Sequence, residues 1–307
     1  VTPEIAILIV NYNAGDDLRR ALESGASECA GYEWEAVVVD NASTDGSASH
    51  VAEFAPNAKL VRNTVNAGFG RAVNQAAAAT TAPLLLIMNP DCHLAAGAVA
   101  ALRAALDTER SCAVAGPRIL DPDGAVQGSA RGDPDMLTGL FGRTGRLRGL
   151  APSLPVARRN VVVEDAIRSG RRSVVVDWVS GACMIVRREA FVAVGGFDER
   201  YFLYWEDADL CRRLRGRGFQ VRYVPGAAAV HRVGRSSRTS RASSIRAFHA
   251  SAYLYYATHV APGAFNPRRL VARALLSARC SWKLLASNVD TREDARSEKR
   301  ERHGAHL

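Results

Sequence analysis

Leu84-Leu85-Leu86-Ile87-Met88-Asn89-Pro90-Asp91 decides the fold: five consecutive apolar residues are followed by an amide, a proline and a carboxylate. An apolar run of strand length with no polar alternation suits a strand buried on both faces, as in a parallel sheet covered by helices. The same pattern repeats on either side of it. Strand-like runs at 5–10, 36–40 and 59–61 alternate with helix-like segments at 17–23, 47–54 and 69–79, and a helix-like 95–106 and a strand-like 113–116 follow. This order predicts an α/β fold, a mostly parallel sheet flanked by helices. Ligands of such sheets bind beyond the carboxyl ends of the strands. Asn11, Asp40-Asn41, Asn89 and Asp91 all follow strand-like runs and are expected to converge there.

Beyond Pro117 a hairpin is expected around Asp121-Pro122-Asp123-Gly124, then a basic, Gly/Pro-punctuated stretch at 131–172 that reads as a mobile acceptor-side insertion. Strands are expected at 174–179, 182–187 and 219–224, and helices at 207–217, 244–259 and 267–286. The division is a catalytic domain at 1–237, a C-terminal helical appendage at 238–289 and a charged, disordered tail at 290–307.

At 307 residues and 48% hydrophobic, the chain can build a large core, which excludes disorder for its bulk. No run approaches the roughly 18 to 20 apolar residues that span a bilayer. The first residues show neither a basic n-region nor a cleavage site, so a cytoplasmic protein is expected. Six cysteines without any C-x-x-C pair suggest buried hydrophobes rather than zinc ligands or disulfides. The net charge of +9 is concentrated in Arg-rich segments, which suits anionic lipid or diphosphate partners. With no zinc-finger spacing or RNA-binding aromatic signature, no nucleic-acid partner is expected.

Five constellations carry chemistry. In Val37-Val38-Val39-Asp40-Asn41-Ala42-Ser43-Thr44-Asp45-Gly46, Asp40 at a strand end can accept the imide N–H of uracil or thymine, and Thr44 or Asp45 can cap the next helix. Alone, the segment fits a plain strand-to-helix turn equally well. In Asn66-Ala67-Gly68-Phe69-Gly70-Arg71, glycines precede a helix whose first turn holds Arg71, a setting that favours a nucleotide or its phosphates. The first strand leads into Asn11-Tyr12-Asn13-Ala14-Gly15, with no G-x-G-x-x-G, which argues against a dinucleotide fold. Asp91 suits Mg²⁺ or Mn²⁺ bridged to substrate phosphates, and no need of a buried strand explains the Asn-Pro-Asp cluster better. In Tyr204-Trp205-Glu206-Asp207-Ala208-Asp209, acids open a helix, where the helix dipole alone would favour them. Beside Phe202, Tyr204 and Trp205 they also read as a sugar platform next to a general base. A solitary histidine is usually structural, but His231 follows the last strand-like segment and is placed to be a third metal-site ligand.

In this order the motifs resemble glycosyltransferase family 2, whose members have the GT-A nucleotide-sugar fold; the resemblance spans about residues 5–237. It implies that Asp40 reads the base, Asp91 holds the metal, His231 completes the metal site and Asp207 is the catalytic base, with Glu206 beside it. Asn11, Asn41, Asn66, Gly68, Arg71 and Asn89 are then expected around the nucleotide-sugar, and Tyr204, Trp205 and Asp209 at the acceptor. Asn89 replaces the first acid of the family's usual Asp-x-Asp, which lowers the charge of the site. Asn-Pro-Asp together with Gly195-Gly196-Phe197-Asp198-Glu199 and 202–207 looks most like the rhamnosyltransferase branch. The resemblance therefore implies inverting transfer of L-rhamnose from dTDP-L-rhamnose to a glycan or polyprenyl-diphosphate-linked acceptor in cell-envelope polysaccharide synthesis.

Two rivals fit less well. A sugar-phosphate nucleotidyltransferase needs a Gly-rich basic loop after the first strand, and 11–17 has one Gly and no basic residue. A basic surface-binding module leaves Asp91, Asp207 and His231 without a role. Basic and apolar residues interleave at 136–150 and, at helical spacing, at 268–279, where Val271, Leu275 and Leu276 are expected to share a face. Both segments suit peripheral contact with an anionic membrane at its inner face, and 268–279 equally suits a helix packed on the catalytic domain with a solvated Arg face.

Overall fold

The structure, a computed structural model, describes residues 2–133, 167, 170–232 and 241–304, with side chains through Ser287. The expected acceptor-side insertion lies largely outside these residues, as do the basic segment at 136–150 and the Gly-Arg-Ser-Ser stretch after His231.

Strands β1 (Ile5–Asn11), β2 (Trp34–Asp40), β3 (Lys59–Arg62) and β4 (Leu84–Met88) form a parallel set in the order β3-β2-β1-β4. Every residue of β1 and β4 is buried, because successive side chains point to opposite faces and both faces are covered. Ile5, Ile7 and Ile9 pack with helices α1 (Asp17–Cys29) and α4 (Ala98–Thr108). Ala6, Leu8 and Val10 pack on the other face with α3 (Phe69–Ala78). A short α2 (Val51–Phe54) links β2 to β3.

The second half makes the sheet mixed. After β5 (Cys92–Leu94) come β6 (Cys112–Leu120), β7 (Ala130–Arg131), β8 (Val174–Val176), β9 (Trp178–Val179), β10 (Cys183–Arg187) and, beyond helices α5 (Arg188–Ala193) and α6 (Glu206–Gly216), β11 (Gln220–His231). β10 lies antiparallel between β4 and β6, whereas β6 and β11 are parallel. The single strand expected at 174–179 is split: β8 joins the main sheet beside β11, and β9 pairs with β7 in a two-stranded sheet. The expected hairpin closes through Asp121 N to Ala125 O and Gln127 N to Ile119 O, at 2.7 and 2.8 Å.

Helices α7 (Arg241–Tyr255), a π turn (Tyr256–Val260) and α8 (Arg268–Gly304) form the C-terminal appendage. Ala252 and Tyr255 of α7 and Leu276 of α8 enter the same core as α3 and α6. The α8 backbone runs on through Gly304, past the boundary expected at 289. Leu276 is buried, so it does not share the exposed face expected for it with Val271 and Leu275. No described helix is long and apolar enough to cross a membrane. All six cysteines are free, five of them buried, and burial pushes Cys29 and Cys211 up to about 12, consistent with inert core thiols.

Candidate active site

The carboxyl ends of β1, β2 and β4 open into a cleft of about 220 Å³, lined among others by Val10, Tyr12, Asn41, Asn66, Asn89, Asp91, Tyr204 and His231. Sheet register explains the layer beneath it, where Asn11 and Asp40 are buried outside the lining. Asn11 and Asp40 are partners across β1 and β2, and Asn11 Nδ2 donates to Asp40 Oδ1 at 3.0 Å. The same amide lies 3.0 Å from Ser43 Oγ and 2.9 Å from Ser47 Oγ, so Asn11 ties the loop after β2 to β1. Asp40 is buried, with Arg62 Nη1 3.6 Å from its second oxygen. Asn13 and Ala42 hold positive φ as the two loops turn. Asp45 accepts N–H groups from Gly15 and Ser47. Partial burial pushes its carboxyl up, but hydrogen bonds from Ser47 and these N–H groups prevail and hold it below the usual range.

Asn41 is the hub of one wall. Its side chain donates to Asn66 Oδ1 at 2.8 Å and accepts from Ala67 N and Asn63 Nδ2 at 2.9 and 3.0 Å, fixing the turn into α3. Gly68 there has φ +88°, and a Cβ would stand 2.7 Å from Phe202 O. The glycine is required twice, by its left-handed backbone and by the approach of the 202–205 loop. Phe69 N donates to Phe202 O at 2.9 Å.

Asp91 and His231 meet because Pro90 has no N–H with which to extend β4 and the chain turns, Cys92 N to Asn89 O, into β5. β5 pairs antiparallel with β11, setting Cys92 opposite His231. The His231 ring is thereby held with Nε2 3.1 Å from Asp91 Oδ1 and 3.3 Å from Asn89 Nδ2. Gln127 stands 3.2 Å from Nδ1 through its Oε1, while its Nε2 donates to Asp121 Oδ1 and His231 O. Since that amide nitrogen is the donor, Oε1 accepts and Nδ1 carries the ring proton, leaving the Nε2 lone pair facing Asp91. Two lone-pair atoms so close attract only through a cation or a proton between them. Sequence reasoning missed Gln127, a neutral amide in a hairpin, and β5, whose three residues look like the end of a loop.

The acidic motif is taken apart by helix geometry. Asp207 is buried, accepting from Gly181 N at 3.0 Å and Ala208 N at 2.8 Å. A Cβ on Gly181 would lie 3.7 Å both from Asp207 Oδ2 and from the ring of cleft-lining Phe69, so Asp207 sits one layer behind that wall. Glu206 is buried at the opening of α6. Asp209 does not face the acceptor side as expected: it is 1% exposed, with Arg213 Nε at 2.7 Å and His259 Nε2 at 2.6 Å. Trp205, expected at the acceptor, is not among the residues that line the cleft. It is buried, with its ring 5.8 Å from Phe248 and 5.3 Å from Tyr255, and belongs to the seat of α7. The aromatic surface of the cleft comes from Tyr12, Phe69, Phe202 and Tyr204, and α7 adds Ser243, Ser244 and Ala247. Arg71 lies outside the lining, 3.6 Å from Glu199.

Comparison with known proteins agrees with this geometry. Residues 6–191 match Glycosyl transferase family 2, and residues 153–288 match Glycosyl transferase family group 2. An N-acetylglucosaminyl-diphospho-decaprenol L-rhamnosyltransferase of Mycobacterium tuberculosis (strain ATCC 25618 / H37Rv) is 34% identical, covering 91% of this chain and 92% of its own length. A rhamnosyltransferase, WbbL, of Escherichia coli (strain K12) is 42% identical over 27% of this chain and 31% of its own. Among solved structures, the mannosyltransferase PcManGT from Pyrobaculum calidifontis, in complex with GDP-Man and Mn²⁺, superposes with a TM-score of 0.56 at 20% identity, over 96% of this chain and 76% of that one. GalNAc-T7 with UDP, GalNAc and Mn²⁺ gives 0.56 at 17%, over 89% and 54%. These structures share the fold, a GT-A-type α/β sheet flanked by helices, while the family match over more than half of the chain and the mycobacterial relative make the assignment: the chain belongs to glycosyltransferase family 2.

Proposed function

We propose that the protein is a metal-dependent, inverting rhamnosyltransferase that moves L-rhamnose from dTDP-L-rhamnose to a polyprenyl-diphosphate-linked saccharide in cell-envelope polysaccharide synthesis. The observation that carries this reading is the Asp91–His231 pair at the mouth of a cleft whose other wall is the Asn41–Asn66–Gly68 turn. A carboxylate oxygen, an imidazole lone pair and the nearby Asn89 amide suit Mg²⁺ or Mn²⁺. Among the described residues no three His, Cys, Asp or Glu side chains gather as a closed metal cage, which fits a cation whose remaining ligands are diphosphate oxygens and water. Bound there, the cation would offset the negative charge developing on the departing nucleoside diphosphate.

The chain's own residues supply the rest. The Asp40 and Asn41 end of the cleft receives the thymine base, with Asn66 and Gly68 lining the wall beside it. Asp207 takes the proton of the acceptor hydroxyl as that oxygen attacks the anomeric carbon from the face opposite the leaving group, so one displacement inverts the configuration. Because Asp207 lies behind Phe69 and Gly181, acceptor binding has to bring the hydroxyl or that wall into reach. Phe202 and Tyr204 offer aromatic faces to a pyranose. The mycobacterial relative, named for a diphospho-decaprenol acceptor, supports a lipid-linked acceptor here.

The test is transfer from dTDP-L-rhamnose to polyprenyl-diphospho-N-acetylglucosamine. One added rhamnose, with the anomeric configuration opposite to the donor's and lost on chelation, is expected. A retained configuration, or preference for a UDP- or GDP-sugar, would refute the corresponding part.

A further inference from the structure

Helix α8 has two unlike faces. One packs inward: Ala272, Leu276 and Ser287 are buried, and Arg279 Nη1 donates to His249 Nε2 of α7 at 3.0 Å. On the other, Val271, Leu275, Ala278, Trp282 and Leu285 recur at spacings of four, three, four and three residues, which stacks them in one stripe. All five are solvent-exposed, Trp282 at 60% and Leu285 at 67%. Leu270, 73% exposed, widens the stripe, and fully exposed Phe265 projects from the turn before the helix. An apolar face of this extent marks a contact surface.

Charge identifies the occupant. Residues 241–289 contain seven Lys or Arg and no Asp or Glu. A second copy seated on the stripe would bring these cations together, the acids of α8 starting only at Asp290, whereas an anionic lipid surface complements the whole basic segment. Trp282 and Lys283, whose ammonium lies 5.3 Å from the indole centroid, suit the boundary between headgroups and acyl chains. We propose that this face of α8, with Phe265, seats the protein on an anionic bilayer with the helix axis along the membrane plane.

The seat is joined to the cleft. α7, against which α8 packs, lines the cleft with Ser243, Ser244 and Ala247, and Ser251 Oγ donates to Leu203 O at 2.9 Å. A membrane under α8 therefore lies next to the elements that build the acceptor side. This use of the surface rests on the lipid-linked acceptor proposed above, but the docking itself does not.

Flotation with vesicles of phosphatidylglycerol and phosphatidylcholine, against phosphatidylcholine alone, tests it. Binding to the anionic vesicles only is expected, weakening with salt, with a blue shift of tryptophan emission. The triple variant Leu270→Ser, Trp282→Ser, Leu285→Ser should lose at least about tenfold in vesicle affinity while binding dTDP as before; Trp282→Phe should keep the binding and lose the spectral shift. Absence of binding at low salt, or undiminished binding of the triple variant, overturns the proposal. So does a dimer in sedimentation that the triple variant dissolves, which would give the face to a second copy. Rhamnose transfer to a water-soluble acceptor, measured on the same preparation, shows separately whether the catalytic reading stands.

Discussion

Gln127 grips His231 at two points, accepting from its ring through Oε1 at 3.2 Å and donating to its carbonyl through Nε2 at 3.0 Å. The amide selects the ring tautomer and turns Nε2 toward Asp91. Gln127→Leu keeps the bulk of the side chain but removes both contacts. Outer hydrogen bonds of this kind typically contribute 10- to 100-fold to metal affinity. We expect Mn²⁺-dependent dTDP binding to weaken by about that factor in calorimetric titrations, and dTDP binding without metal to stay the same.

Asp207→Asn should lower turnover by roughly 10²- to 10⁴-fold, the usual contribution of a general base. The amide can accept from only one of Gly181 N and Ala208 N, so an unchanged dTDP affinity and a measured Tm separate loss of the base from loss of the fold. Rates should fall while dTDP affinity is preserved; near wild-type turnover would move the role to Glu206.

Asp209 should behave as a structural residue. Both of its oxygens are engaged by Arg213 and His259, in a site that is 1% exposed. Asp209→Ala removes the buried carboxylate shared by two partly exposed basic groups, a loss of up to about 3–5 kcal/mol in comparable buried pairs. A large drop in Tm is expected, with no selective rise in the acceptor KM of the protein that remains folded.

A pH dependence follows from His249. Burial lowers its pKa, outweighing the bond to Ile245 O, and Arg279 and Lys283 act in the same direction. A histidine held neutral in the folded state binds fewer protons than in the unfolded chain. Its contribution is therefore full above the ordinary value near 6.5 and is lost as pH falls below it. Thermal unfolding of the wild type should lose more stability between about pH 7 and about pH 5 than that of His249→Asn.

The sequence showed the sheet because β1, β2 and β4 are apolar on both faces, and it showed Asp91 and His231 because carboxylate and imidazole carry chemical identity. It concealed whatever depends on direction. Residues 205–209 are adjacent in the chain, but a helix turns each by about 100°, so Asp209 faces Arg213 and His259 while Asp207 faces Gly181. Trp205 reads as a binding aromatic until α7, from far along the chain, covers it. Leu276 and Leu275 are neighbours in sequence, yet one packs against the core and the other meets solvent. Gln127 carries no charge and no motif, and only its placement beside His231 reveals it.

The contact of Gly68 with Phe202 has a consequence for redesign. Its hydrogen bond runs between main-chain atoms, Phe69 N to Phe202 O, so the loop at 202–204 is anchored to the Asn41–Gly68 wall through its backbone. Side chains at Phe202 and Leu203 are thus exchangeable parts on a fixed mount, whereas Tyr204 holds a positive φ and packs on Phe248. Libraries that vary those two positions and keep Gly68 and Tyr204 should, on the reading proposed above, change which acceptor sugar is taken while leaving donor binding intact.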